Sequence, residues 1–251
     1  IPTKALLKSA QVFEYINNAA DYGITVSKAE ADFNSVVKRS RDIAGGMSKG
    51  IDFLMKKNKI EVLMGAGKVN PGKKVTVTDQ KGNSTEHSAK NIIIATGAKS
   101  RQLPNLPQDG KKVIGYRDAM TLKEIPKKMI VVGSGAIGVE FAYFYNAMGT
   151  DVTLVEYLPN IVPLEDKDIS KQLERSFKKS GIKVMTNSSV EKVDLNGKQC
   201  KATIKTKKGE ETLEADIILS AVGIEANVKN IGLEDVGIAT DKGKILVNDY
   251  Y

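Results

Sequence analysis

The pattern of apolar and polar positions along the chain predicts an alternation of amphipathic helices and strands. Apolar residues at helical spacing predict a helix over residues 2–20 and a second helical region over 29–57. Short apolar runs are typical of buried strands, and they occur at 60–64, 91–97, 130–132, 153–156, 182–185 and 216–223. Alternating runs predict two β-meanders, over 73–89 and 190–213. This succession indicates an α/β fold.

A glycine-rich turn between a strand and a helix is the most informative stretch of the chain. Gly133, Gly135 and Gly138 have the G-x-G-x-x-G spacing, and an apolar helix over 136–148 follows. In dinucleotide-binding folds the first glycine permits a tight turn, the second lets a pyrophosphate approach, and the third lets helix and strand pack closely. Free N–H groups at the start of the helix would bind phosphate. Glu156 ends the next strand, where a carboxylate accepts hydrogen bonds from the adenosine ribose.

These residues favour NAD over NADP as the nucleotide. Glu156 would meet the 2′-phosphate of NADP with like charge, and Tyr157 stands where an NADP site usually carries a basic residue. A glycine-rich turn alone is a weak indication, but here a strand precedes it, a helix follows it and an acid stands at the right distance. The alternative is a βαβ unit with tight turns, no nucleotide and an exposed glutamate.

Composition and charge exclude several classes of protein. With 251 residues, 41% of them hydrophobic and 27% charged, the chain suits one or two globular domains. The net charge of +8 raises nucleic acid or an anionic membrane as a partner, but the lysines are scattered without an aromatic platform, so we expect neither. The single cysteine, Cys200, and the single histidine, His87, exclude an internal disulfide and a Cys/His metal cluster. Cys200 is predicted to be a structural thiol.

An internal repeat runs through the chain. Residues 56–64 resemble residues 178–185, and each copy is followed by a charged meander and by an apolar strand that ends in a glycine. Two copies of helix, strand, meander and strand imply two related Rossmann-like domains. Each would have a three-layer ββα architecture with a β-meander crossover. The phosphate loop is present only in the second copy. We therefore expect an incomplete first domain over 1–119, a second domain over 120–247 and a return to the first over 248–251.

Together these segments resemble the two-dinucleotide-fold flavoprotein disulfide reductases, and among them the dihydrolipoamide dehydrogenase family. Residues 1–7 are similar to the segment after the second cysteine of that family's redox-active pair, and 95–97 to its FAD-domain signature. Residues 133–140 are similar to its NAD loop, and 221–224 to a turn that contacts NAD. The resemblance implies that the incomplete first domain belongs to an FAD-binding domain and that the second binds NAD.

The resemblance also implies a set of cofactor-binding residues. On the FAD side it implies Lys4, Gly65, Thr96 and Gly97, with Lys4 paired to Glu140 near the N5 edge of the flavin. On the NAD side it implies Gly133, Gly135, Ala136, Ile137, Gly138, Glu140, Glu156, Val190 and Gly223.

The reaction implied by the resemblance is the oxidation of a protein-bound dihydrolipoyl group by NAD, through an active-site disulfide and FAD. The resemblance also implies lipoyl domains of 2-oxo acid dehydrogenase complexes as partners, a second subunit and a cytoplasmic location.

The redox cysteines, the FAD phosphate loop and the family's His–Glu base have no counterpart here, so we expect an internal piece of a longer polypeptide with no catalytic residue. Such a piece should bind NAD, but it should be colourless and inactive. Mercuric reductase, soluble transhydrogenase, a bare nucleotide-binding module and a basic nucleic-acid binder are the alternatives.

Overall fold

The computed structural model describes residues 1–251 as five α-helices, fifteen strands and two short 3₁₀ turns. The helices are α1 (Pro2–Asn17), α2 (Phe33–Lys57), α3 (Tyr116–Ala119), α4 (Ala136–Ala147) and α5 (Lys167–Lys179). The strands are β1 (Ala66–Asn70), β2 (Lys74–Thr78), β3 (Ser84–Ser88), β4 (Ala98–Ser100), β5 (Val113–Ile114), β6 (Lys128–Val132), β7 (Asp151–Val155), β8 (Lys183–Met185), β9 (Ser189–Asp194), β10 (Cys200–Thr206), β11 (Gly209–Ala215), β12 (Ile217–Ser220), β13 (Ile224–Ala226), β14 (Thr240–Asp241) and β15 (Lys244–Ile245).

The chain divides into two compact units. Unit 1 comprises residues 1–48 and 100–223, and unit 2 comprises 49–99 and 224–251. These boundaries differ from the expected domains because helix α1 packs against α4 in unit 1, with Leu6 and Ala10 completely buried in the shared core. The assignment of 1–119 to an FAD-type domain therefore stays a prediction.

A five-stranded parallel sheet forms the centre of unit 1. Its strand order is β5-β12-β6-β7-β8, and every neighbouring pair is parallel. Strands of a parallel sheet are covered on both faces, which is why β6 and β12 are apolar runs without alternation. The carboxyl ends of β6, β7 and β12 lie at one edge, since Val132 pairs with both Val155 and Ser220.

Alternate residues of β6 point to opposite faces of the sheet and build two separate cores. Met129 and Val131 pack in a cluster with α1 and α4, whereas Ile130 and Val132 pack in a cluster with the meander β9–β11. The meander is antiparallel with the order β11-β10-β9. Unit 1 therefore has the expected three-layer ββα architecture, in which the meander covers one face of the parallel sheet and the helices cover the other.

Unit 2 contains the first copy of the repeat. Its β1-β2-β3 meander is three-stranded and antiparallel like β9–β11. The repeat extends to the end of the preceding helix, where Lys59 and Gly181 both adopt a left-handed backbone, with φ of 56° and 86°. The next residues donate equivalent backbone hydrogen bonds, from Ile60 to Met55 and from Ile182 to Phe177. The internal repeat inferred from the sequence is thus also present in the structure.

Two expected strands do not form, and both lie in unit 2. Residues 60–64 and 91–97 have no strand partner, and Val62, Met64 and Ile93 are exposed. Their counterparts in unit 1, β8 and β12, pair with β7 and β6. Unit 2 contains no strands that correspond to β6 and β7. Because a strand exists only where its backbone groups pair with a neighbour, the apolar pattern alone does not produce one.

Candidate nucleotide-binding site

The three glycines of the loop after β6 have three different surroundings. Gly133 has a φ of 96°, and a Cβ added to it would lie 2.5 Å from the carbonyl oxygen of Ala221. A Cβ on Gly138 would lie 1.9 Å from the carbonyl oxygen of Gly133, so α4 approaches the loop as closely as backbone permits. A Cβ on Gly135 would meet nothing within 4 Å. The structure thus leaves open space at the glycine where a pyrophosphate was expected to approach.

The N-terminus of α4 is open at this point. Gly135 is its N-cap, no side chain caps the helix, and no acidic residue lies in the first turn. The first N–H groups of a helix lack partners within it, and the positive end of the helix dipole attracts anions. Gly135 and Ala136 are exposed and Ile137 is half-buried. The loop therefore has the geometry and the charge of a phosphate-binding site.

Glu156 lies beside the loop, but it is buried and already bonded within the chain. Its Oε2 accepts hydrogen bonds from the backbone N–H of Ser134 at 2.8 Å and from the Ser134 hydroxyl at 2.6 Å. Its Oε1 accepts one from the N–H of Leu158 at 2.8 Å. Glu156 is 7% exposed and Ser134 is completely buried. The alternative of an exposed glutamate is therefore wrong.

Gly223 and Val190 occupy different environments from the loop glycines. Gly223 follows β12 with a φ of 108°, and its carbonyl accepts a hydrogen bond from the N–H of Arg101 at 3.0 Å. It stands three residues beyond Ser220, the partner of Val132, so it lies near the edge of the sheet that carries the loop. The Val190 side chain is buried in the core of the meander, and its carbonyl accepts from Asn105. A nucleotide role for Val190 stays a prediction.

Helix α1 is fastened to α4 by two polar contacts. Lys4 forms the predicted ion pair with Glu140. One turn further along α4, the hydroxyl of Tyr143 donates to Glu14 at 2.5 Å. Burial, and then this hydrogen bond, raise the pKa of Tyr143. The residue that the resemblance places at the flavin thus contacts the helix that begins at the nucleotide loop.

The other residues expected at FAD lie in unit 2, and they do not form a phosphate site. A Cβ on Gly65 would lie 2.4 Å from the carbonyl oxygen of Thr78, so backbone packing already requires this glycine. The carbonyls of Thr96 and Gly97 accept hydrogen bonds from the side chain and backbone of Asn227. No α-helix begins in unit 2, so no helix N-terminus is available there for a flavin pyrophosphate.

Cys200, predicted to be a structural thiol, is confirmed as a buried free cysteine. Burial raises the pKa of its thiol, as is typical of a structural cysteine. His87 lies half-buried in β3 beside the Thr85 hydroxyl, with no carboxylate bonded to its ring. None of the five α-helices combines the length and the apolar character that a membrane span requires.

Comparison with known proteins agrees with the interpretation of the loop as a nucleotide-binding site. The sequence profile of the family described as pyridine nucleotide-disulphide oxidoreductase matches residues 1–251. The chain belongs to the pyridine nucleotide-disulphide oxidoreductase family. The name of this family refers to pyridine nucleotides and to the oxidation and reduction of disulfides.

Members of this family that resemble the chain include dihydrolipoyl dehydrogenases. The enzyme of Zymomonas mobilis is 41% identical over all of the chain and 54% of its own length, and that of Chlorobaculum tepidum is 43% identical over 98% and 52%. The crystal structure of LpdA from Mycobacterium tuberculosis superposes with a TM-score of 0.87 at 28% identity, covering 97% of this chain and 53% of that one. The chain spans about half the length of these relatives. The structural similarity confirms the expected fold class.

The site could be predicted in part from the sequence. Spacing located the glycine loop and the acid, and the structure places Glu156 beside the loop. The Lys4–Glu140 pair was implied only by the family resemblance, and the structure contains it. Sequence reasoning missed Ser134 and Asn227. Ser134 carried one available signal, a hydroxyl at the central x of G-x-G, one residue from both glycines.

Proposed function

We propose that this chain binds NAD(H) through the loop of residues 133–138 and belongs to a dihydrolipoyl dehydrogenase. The observation that carries the proposal is the open N-terminus of α4 above Gly135, with the carboxylate of Glu156 beside it. The similarity to dihydrolipoyl dehydrogenases over essentially the whole chain supports the identity of the parent protein.

Each part of the site has a separate role in this proposal. The backbone N–H groups of Ala136 and Ile137 would bind the pyrophosphate, which the missing side chain of Gly135 allows to approach. Glu156 would accept from the adenosine ribose and repel a 2′-phosphate. Nothing positive offsets that repulsion at the next position, which is the exposed Tyr157.

The parent protein would oxidise a dihydrolipoyl group on a lipoyl domain of a 2-oxo acid dehydrogenase complex, as a cytoplasmic homodimer. FAD would supply the electron relay between dithiol and nicotinamide. In this scheme Lys4 and Glu140 hold their charges close together at the junction of α1 and α4. The thiols and the base that handle the dithiol have no counterpart among residues 1–251, so this chain supplies the nucleotide platform.

Calorimetry with NADH and NADPH tests the nucleotide choice. We expect the unmodified chain to prefer NADH by at least about tenfold, because a like charge beside the 2′-phosphate costs at least about 1.4 kcal/mol. Glu156→Gln keeps the shape of the side chain and removes the charge, so it should shrink the preference. Glu165→Gln, an exposed glutamate of the following loop, is the matched control and should leave the preference unchanged. Equal affinity of the unmodified chain for both nucleotides would contradict the assignment of NAD.

The chain alone should be colourless and inactive with dihydrolipoamide. An absorbance scan across the flavin region and a turnover assay with NAD and dihydrolipoamide measure both properties. The motivation is that unit 2 offers no helix N-terminus to a flavin pyrophosphate. Bound FAD at one equivalent, or measurable turnover, would contradict this expectation and leave the proposal of NAD binding untouched.

A further inference from the structure

We propose that Ser134 is a specificity-determining residue, whose hydroxyl competes with the nucleotide ribose for the Glu156 carboxylate. This inference rests on the proposed binding of NAD(H). A carboxylate offers about four lone-pair positions to hydrogen-bond donors. Three of them are filled in this structure, two by Ser134 and one by the N–H of Leu158. A ribose that donates both hydroxyls needs two positions, so one donor of the chain must give way.

The Ser134 hydroxyl is the donor that can give way. The other two donors are backbone N–H groups, and the backbone around them is fixed by further hydrogen bonds. The N–H of Val162 donates to the Ser134 carbonyl at 3.0 Å, and the N–H and carbonyl of Glu156 bond to Met185 and Ser188. The hydroxyl, in contrast, moves with a single side-chain torsion.

Displacing this hydroxyl weakens nucleotide binding. Ser134 exposes none of its surface, so a displaced O–H group has no water to bond to. A buried hydroxyl without a partner costs free energy, and a charge-assisted hydrogen bond is lost in the same step. The second ribose hydroxyl therefore contributes less binding free energy in this chain than it would if the Glu156 carboxylate had no hydrogen bond from the Ser134 hydroxyl.

A pair of small ligands isolates this effect. ADP carries the pyrophosphate and both ribose hydroxyls, whereas 2′-deoxy-ADP lacks the 2′-hydroxyl and needs only the one lone-pair position that is already vacant. Ser134→Ala should tighten ADP by about three- to tenfold, which is the net contribution of an ordinary intramolecular hydrogen bond. The same substitution should leave 2′-deoxy-ADP unchanged. The readout is the dissociation constant of 2′-deoxy-ADP divided by that of ADP, a ratio that a general loss of stability does not change.

Isothermal titration of both ligands against four proteins completes the test. Ser188→Ala is the matched control, since Ser188 is also buried and near Glu156 but its hydroxyl donates to the Thr186 carbonyl. Ser134→Gly removes the hydroxyl with the least steric demand and replaces Ser134→Ala if that variant does not fold. The fourth protein is Glu156→Gln, which should abolish most of the dependence on the 2′-hydroxyl.

The outcomes separate this inference from the proposed function. A rise in the ratio with Ser134→Ala, and none with Ser188→Ala, supports the competition. An unchanged or lower ratio with Ser134→Ala, or with Ser134→Gly where it replaces that variant, overturns it, even while the unmodified chain binds both ligands through Glu156. Absence of binding by either ligand to the unmodified chain, or a ratio that Glu156→Gln does not change, would instead refute the ribose site itself.

Discussion

Two glycines of the loop affect different properties of the molecule: Gly138 affects folding and Gly135 affects nucleotide binding. Gly138 has a carbonyl oxygen where its Cβ would be, whereas Gly135 has open space and an ordinary φ of −66°. The two positions differ by three residues and belong to the same motif. The same substitution at each therefore tests a different property of the molecule.

We expect Gly138→Ala to destabilise unit 1 by about 2–4 kcal/mol, because the methyl group forces α4 away from the loop. Gly135→Ala should leave thermal stability nearly unchanged and weaken NADH by at least about tenfold, because the methyl group occupies the approach of the pyrophosphate. Thermal unfolding and calorimetry on both variants measure the two effects. Gly135→Ala protein that binds NADH normally would show that phosphate does not approach at this position.

Residue roles that depend on local spacing were predictable, and roles that depend on distant contacts were not. The glycine spacing indicated the loop because all three roles follow from one turn and one helix. The burial of Glu156 could not be predicted, since it results from donors supplied by the loop and by the segment after β7. Asn227 contacts Thr96 across 131 positions, and no local pattern encodes that contact.

At the scale of elements, the two copies of the repeat differ at one helix terminus. Gly181 adopts the left-handed backbone after α5 at no steric cost, whereas Lys59 adopts it after α2 with a side chain attached. For residues other than glycine this conformation costs about 1–2 kcal/mol. Exchange of these residues should therefore have opposite effects in the two units.

Lys59→Gly should stabilise unit 2 by about 0.5–1 kcal/mol, and Gly181→Lys should destabilise unit 1 by about 1–2 kcal/mol. Lys56→Gly is the matched control for the first, because Lys56 is helical and glycine there should cost about 0.5–1 kcal/mol. Denaturant unfolding with a probe in each unit measures all three. A loss of stability in Lys59→Gly equal to that in Lys56→Gly would rule out strain at Lys59.

The pairing of elements explains where the expected strands failed. The segments 91–97 and 217–220 have the same apolar character, but only the second has a neighbour on each side, β5 and β6. Apolar periodicity reports which residues suit burial, while a strand also requires partners for its backbone groups. The helices, and the meander strands within 73–89 and 190–213, satisfy their hydrogen bonds locally and were predicted more accurately than these isolated strands. Strand β1, which completes the first meander, was not predicted.

Amide hydrogen exchange should show this difference directly. We expect the amides of Ile92, Ile93 and Ile94 to exchange rapidly and those of β12 to exchange slowly, at the rate of the core of unit 1. The two segments resemble each other in composition, so each serves as the control for the other. Equal protection of both segments would mean that 91–97 has a backbone partner in solution.

For the whole molecule, all residues proposed to bind NAD lie in one unit. The loop, Glu156, Val190 and Gly223 belong to unit 1. Of the turn 221–224, which resembles a turn that contacts NAD, only Ile224 belongs to unit 2. A ligand stabilises the state that it binds in proportion to its concentration over its dissociation constant. NADH should therefore stabilise unit 1 selectively.

The single cysteine makes this prediction measurable. Cys200 is completely buried in unit 1, so a thiol reagent reaches it only when that unit opens. At an NADH concentration about 100 times the dissociation constant, labelling of Cys200 should slow about 100-fold if opening releases the nucleotide. Tryptic cleavage after Lys59 and Lys90, two exposed residues of unit 2, should proceed at the same rate with and without NADH. NADPH at the same concentration is the control and should slow labelling much less. Equal protection of the thiol and the two tryptic sites by NADH would show that the units open together and that nucleotide binding is felt across the whole chain.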